Sequence, residues 1–155
     1  MSVRRALWIF VAVAFVVGVA FVPITSLSRP DWDVWITDEG GHPIAGTTVR
    51  LAYRNYSAES QSHEINAATD GQGHVAFSAH AVSASLGRRI VAILSSATAG
   101  VHASFGPHAT VFASADGLQG VAVDERQNVL DWTGKPAHVE SRIVLAPLKT
   151  TSPAR

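Results

Sequence analysis

The residues most able to do chemistry in this chain are its seven histidines, because there is no cysteine. Absence of cysteine removes disulfides, a thiolate nucleophile and Cys-ligated zinc from consideration. His74 and His80 are six apart, as are His102 and His108. An even separation places two side chains on one face of an unbroken strand, but both intervals contain bends. Zinc needs three or four ligands held close together, and neither H-x-H nor H-E-x-x-H occurs, so no metal or other cofactor is expected. Asp70-Gly71 and Asp116-Gly117 lack the second carboxylate in register that a calcium loop needs. In "GVHASFG", His102 and Ser104 lie close, yet the G-x-S-x-G elbow of a hydrolase is missing. Asp31, Asp33, Asp38 and Glu39 are expected near one end of the fold as a solvated acidic rim. "NYS" at Asn55 is a glycosylation sequon, informative only in a eukaryotic secretory host. Trp32, Trp35 and Trp132 could form an aromatic platform for a sugar ring, with Trp35 and Trp132 as the candidate binding residues.

The elements that must carry these residues begin with "ALWIFVAVAFVVGVAFVPI", residues 6–24, which holds no charge. As a helix at ~1.5 Å per residue it spans roughly 28 Å, close to the ~30 Å apolar core of a bilayer. It is apolar on all sides, unlike a helix buried in a soluble protein. Small-x-small cleavage sites are poor: Ser26 and Ser28 have the sizes, but Pro30 would become the second mature residue. An uncleaved signal-anchor is favoured over a cleaved signal, which would make the protein secreted. Arg4 and Arg5 precede the segment, so residues 1–5 are expected in the cytoplasm and the rest in the periplasm or outside the cell. From Asp31 onward nine Lys and Arg stand against twelve Asp and Glu, a net charge of −3. That balance argues against a nucleic-acid partner.

Residues 25–32 look like a polar linker, and the pattern then changes to period two. Val34 and Ile36 share a face opposite Trp35. Val49, Leu51 and Tyr53 alternate with polar residues, as do Ile65, Ala67 and Thr69, then Val75 and Phe77. "RIVAILSS" is apolar on both faces and suits a central strand. "ATVFAS" follows, and then Val139, Ser141, Ile143 and Leu145 on one side. Seven short strands over residues 33–147 predict a single antiparallel β-sandwich. "HAVSASLG" and "SATAGVHASFG" are small-residue connectors, and 148–155 is expected to be a disordered tail.

The run "ITDEGGHPIAGTTVRL", followed about twenty residues later by "ATDGQGHVAFS", resembles the carboxypeptidase regulatory-like domain, which has a transthyretin-like sandwich and is widespread in exported bacterial proteins. Asp38, Gly41, Pro43, Ile44, Gly46, Val49 and Leu51 match its first half, and Thr69, Asp70, Gly73 and Phe77 its second. The resemblance covers roughly Asp33 to Ser95. It implies a non-catalytic fold, in which Asp38, Gly41, Pro43, Gly46, Asp70, Gly71 and Gly73 are turn devices rather than a site. The chain is therefore expected not to be an enzyme. The expectation is a membrane-anchored module for binding or scaffolding in the cell envelope, its partner a protein or cell-wall carbohydrate. The alternative is a carbohydrate-binding module using Trp35 and Trp132.

Overall fold

The computed structural model describes residues 3–98, 100 and 103–147. His102 and the tail 148–155 lie outside them. Helix α1 covers Val3–Ala20 and is long and apolar enough to cross a membrane, with none of that span buried inside the protein. The remainder is mostly strands in sheets, with a sandwich-like arrangement. β1 is Pro23–Arg29, β2 Asp31–Thr37, β3 Thr48–Asn55, β4 His63–Ala68, β5 His74–Phe77 and β6 His80–Ser85. Helix α2, Leu86–Ala97, comes next, followed by β7 Pro107–Ala115, β8 Leu118–Val121, β9 His138–Val144 and β10 Ala146–Pro147.

Among the described residues three sheets form, in the orders β10-β8-β7-β3-β4, β5-β2-β9 and β1-β6. Period-two alternation sends Trp32, Val34 and Ile36 of β2 inward, and likewise Val49 and Leu51 of β3, Val111 and Ala113 of β7, and Val139 and Ile143 of β9. These residues join Val75, Phe77, Trp132 and Leu145 in one core between the larger sheets. Burying a large aliphatic side chain in such a core contributes about 1.5–3 kcal/mol. The loop between β7 and β8 is Asp116-Gly117, both at positive φ, which suits the twist of a two-residue hairpin.

The observed architecture corrects the expected one at four places. There are ten strands rather than about seven among the described residues. The pairing is not wholly antiparallel, because β2 and β9 run parallel from Asp31↔His138 to Thr37↔Val144. Alternation fixes which residues face inward but not the direction of a neighbour, and about a hundred residues of intervening chain leave ample length for a parallel return. "RIVAILSS" is not a central strand but lies in α2. A short apolar run fits either state, and here Ser85 Oγ accepts a hydrogen bond from Arg88 N as an N-cap. Leu86, Ile90, Ile93, Leu94 and Ala97 then recur at helical spacing.

Fourth, two stretches that look like connectors in the sequence form strands. Residues 25–32 are not a free linker, since they hold most of β1 and the start of β2, and "HAVSASLG" supplies β6. β1 and β6 pair from Pro23↔Ser85 to Leu27↔Ala81, with a shift before Arg29↔His80. The ribbon packs against β3 and β7. Asn55, only 1% exposed, ties it there. Its Nδ2 donates to Ser26 Oγ and to the Leu27 carbonyl, each at 3.0 Å. Ser28 Oγ donates to the carboxylate of Glu59, which also accepts from Asn55 N. The sequon asparagine is thus an internal strut.

Candidate functional site

The outward positions of β2 are Asp33, Trp35 and Thr37, and the neighbouring strands decide what surrounds them. In the parallel register Glu140 stands beside Asp33 and Arg142 beside Trp35. From the antiparallel side, His74 stands beside Trp35. The half-buried Trp35 ring lies 4.9 Å from the His74 ring, tilted by 38°. His74 Nε2 is 2.7 Å from Asp33 Oδ1, and His138 Nε2 is 3.6 Å from Asp33 Oδ2 and 3.4 Å from Glu140 Oε1. A shallow cleft of about 340 Å³ opens between Trp35, Glu140, Ser141 and Arg142. An aromatic face flanked by two carboxylates, a guanidinium and two imidazoles can stack a ring and hydrogen-bond its edge.

Trp132 does not belong to this surface. It is 3% exposed, and its indole N–H donates to the Pro136 carbonyl. Trp32 is fully buried, with its indole N–H on Ser141 Oγ at 2.9 Å. The expected platform therefore reduces to Trp35. The reason is parity in Trp32, which is three residues from Trp35 and so faces the other way. For Trp132 the reason is a bridge to Ala109 that draws it into the core.

The His74–His80 pair separates in the same manner, and the other pair includes His102, which lies outside the described residues. His74 is on β5 and His80 on β6, in different sheets, with Ser78 and Ala79 between the two strands. His80 lies edge-on to Tyr53 instead. His108 pairs with Asp131, Nδ1 to Oδ2 at 2.7 Å, while its Nε2 is 3.2 Å from the Phe105 carbonyl. Tyr53, Arg54, Tyr56, Ser104 and Phe112 line the same groove, of about 480 Å³. Sequence reasoning missed the His108–Asp131 pair because the two are 23 residues apart on different segments. No group of three or more His, Asp and Glu suited to a metal exists among the described residues. The acidic rim is dispersed as well. Asp31 starts β2, where its carboxylate accepts from Ala79 N, and Asp38 lies just past the other end.

The turn residues gather at the end to which β2 points. Asp38 Oδ1 accepts from His42 N at 2.8 Å, and Pro43 bridges back to Thr37. Ile44 N donates to the Ile36 carbonyl, and Gly46 N to that of Thr69. Asp70 Oδ1 accepts from Gln72 N and His74 N. Gly71 is exposed in that second turn. Gly41, Gly46 and Gly73 all have positive φ. Gly73 is the seam between the turns, since a Cβ there would lie 2.6 Å from the Ile36 carbonyl and 3.0 Å from Pro43 Cβ. The His42 backbone N–H, reinforced by its side chain, holds the Asp38 carboxyl below the ordinary 3.8. The His74 and Gln72 N–H groups do the same for Asp70.

No protein-family model matches the chain, and no curated protein matches it. Among solved structures it is similar to 3-chlorocatechol 1,2-dioxygenase from Rhodococcus opacus 1CP. That likeness has a TM-score of 0.42 and 15% identity, over 78% of this chain and 62% of that one. It is similar also to catechol 1,2-dioxygenase of Acinetobacter radioresistens, with TM-score 0.39 and 14% identity, over 83% of this chain and 56% of that one. The chain thus spans roughly three fifths of the length of either enzyme. The expectation that the protein is not an enzyme is corrected here. It rested on taking the fold as non-catalytic, and both of these solved neighbours are enzymes. At these scores the likeness transfers no reaction to this chain.

Proposed function

We propose that the protein is a membrane-anchored, extracytoplasmic β-sandwich module of the carboxypeptidase regulatory-like, transthyretin-like type, which binds or scaffolds in the cell envelope. The observation that carries this reading is the junction between helix and sandwich. α1 ends at Ala20 and β1 begins at Pro23. Cleavage after Ser28 would remove nearly all of β1, and Ser28 is fully buried. The strand pairing therefore favours an anchor over a cleaved signal. Arg4 and Arg5 ahead of α1 favour a cytoplasmic N-terminus. Protease added to right-side-out membrane vesicles is expected to cut the C-terminal part of the chain. Cutting only after the cytoplasmic face is opened would overturn the topology. A mature N-terminus near Arg29 by mass spectrometry would overturn the anchor.

The Trp35 face favours a second reading, binding of cell-wall carbohydrate. Trp35 would stack on a sugar ring, while Asp33, Glu140 and Arg142 would hold its hydroxyls. Tryptophan fluorescence is expected to change on titration with cell-wall polysaccharide and to lose that response in Trp35→Ala. A flat titration across a panel of such sugars removes this reading and leaves the anchored module standing.

A further inference from the structure

None of the residues of α2 is buried. Val91 and Leu94 each expose 63% of their surface, and Ile90 and Ile93 are exposed beside them. On a helix of 3.6 residues per turn, Leu86, Ile90, Ile93, Leu94 and Ala97 form one stripe, with Val91 at its margin. Arg89, Ala92 and Ser96 are half-buried on the side turned to the protein. Four large aliphatic residues clustered and uncovered on so small a protein mark a contact surface.

The position of α2 says what it contacts. Its first turn is fixed to the exit of α1 in three ways. Leu86 N donates to the Val22 carbonyl at 2.9 Å. Arg89 Nη2 donates to the Ile24 carbonyl at 2.8 Å and to Ser26 Oγ at 2.9 Å. Gly87 closes on the last residue of α1, such that a Cβ there would lie 3.1 Å from the Ala20 carbonyl oxygen. Gly87 belongs angularly with the apolar stripe rather than with Arg89, so that stripe and α1 share a side. α2 contains no acidic residue, and its charges are Arg88 and Arg89 alone.

We infer that α2 is a second membrane contact, an amphipathic helix lying in the surface of the phospholipid bilayer beside the point where α1 emerges. Ile90, Ile93 and Leu94 enter the boundary between headgroups and acyl chains, while Arg88 and Ser95, on the opposite side of the helix, face water. A chain held by α1 alone would swivel about the Ala20–Pro23 junction. With α2 docked, the ribbon and sandwich stand in one orientation on the membrane. The inference rests on the anchoring role of α1.

The natural chain has no cysteine, so single cysteines carry an environment-sensitive fluorophore cleanly. The full chain is reconstituted in phosphatidylcholine–phosphatidylglycerol vesicles with the label at Ile90→Cys, Leu94→Cys, Ser95→Cys or Val13→Cys. Ile90→Cys and Leu94→Cys are expected to emit to the blue and to lose emission to a nitroxide placed shallow in the bilayer. Ser95→Cys is expected to remain water-like, and Val13→Cys to be quenched by a nitroxide near the acyl ends. Water-like emission at positions 90 and 94 with position 13 in lipid overturns the inference and leaves the anchor intact. Water-like emission at position 13 overturns the anchor itself. Blue emission at 90 and 94 that lipid nitroxides do not quench, and that reverts on dilution to one chain per vesicle, assigns the face to a second copy and overturns the lipid contact. The same unquenched emission persisting on dilution overturns it too.

Discussion

At the end of the sandwich where β2 runs out, two turns lock into each other around Gly73, and the backbone groups of Ile44, Gly46 and Thr69 find partners within them. At the opposite end, where the chain leaves α1, the β1–β6 ribbon is held by the buried amide of Asn55, and α2 stands with its aliphatic side uncovered. The first end spends its residues on backbone geometry and needs nothing outside the chain. The second leaves apolar surface over, which is sensible only against another phase or surface. Interlocked backbone closes one end of the core, and uncovered apolar surface lies at the other.

The largest loss is expected at Gly73. Gly73→Val forces a β-branched residue to a φ of +71° and into the Ile36 carbonyl. It should cost about 3 kcal/mol or more, strain and overpacking combined. Gly46→Val meets a similar φ with open space around the added carbon, and should cost about 1–2 kcal/mol. Urea unfolding of the full chain in detergent, followed by tryptophan fluorescence, ranks the two. Equal losses would mean that the interlocked turns contribute nothing beyond their backbone angles.

Asn55→Ala removes both amide bonds to β1 and leaves the Leu27 carbonyl without that donor. A loss of about 2 kcal/mol is expected. Hydrogen exchange should quicken in β1 and β6 while β2 and β9 keep their protection. Uniform quickening would show that the ribbon is no separate unit.

A smaller effect is expected from acid. Asp38 and Asp70 both have folded-state values lowered below 3.8, chiefly by backbone N–H groups that bind the charged form. Lowered values stabilise the fold above the unfolded value, and that contribution is lost as pH falls through the folded one. Thermal melts should therefore be flat in these groups from neutrality to about pH 5 and decline below about pH 4. Asp70→Asn should shallow that decline and leave the neutral melt changed little, because this carboxylate is solvent-exposed. The smallest effect belongs to α2. Leu94→Ser should alter stability in detergent by no more than about 0.5 kcal/mol, since no packing is lost there. A larger loss would place α2 in the core after all.

The inward faces of β2, β3, β5 and β9 and the uncovered apolar span of α1 were legible from the residues alone. Each is written in consecutive residues as a period of two or as an unbroken apolar run. The turns were legible too, because Asp and Gly at positive φ act within a few residues of themselves. The rest followed from long-range packing. "RIVAILSS" carries β-branched residues that suit a strand, yet a helix forms, with Ser85 capping its start and Arg89 fastened to β1 some sixty residues earlier. The parallel union of β2 with β9, which sets Glu140 and Arg142 beside Asp33 and Trp35, joins segments about a hundred residues apart. The His108–Asp131 pair and the burial of Trp132 depend on a bridge to Ala109. Local periodicity reports which way a side chain points relative to its own strand. It carries no information about which distant strand arrives alongside, and that arrival decides whether a tryptophan becomes core or surface.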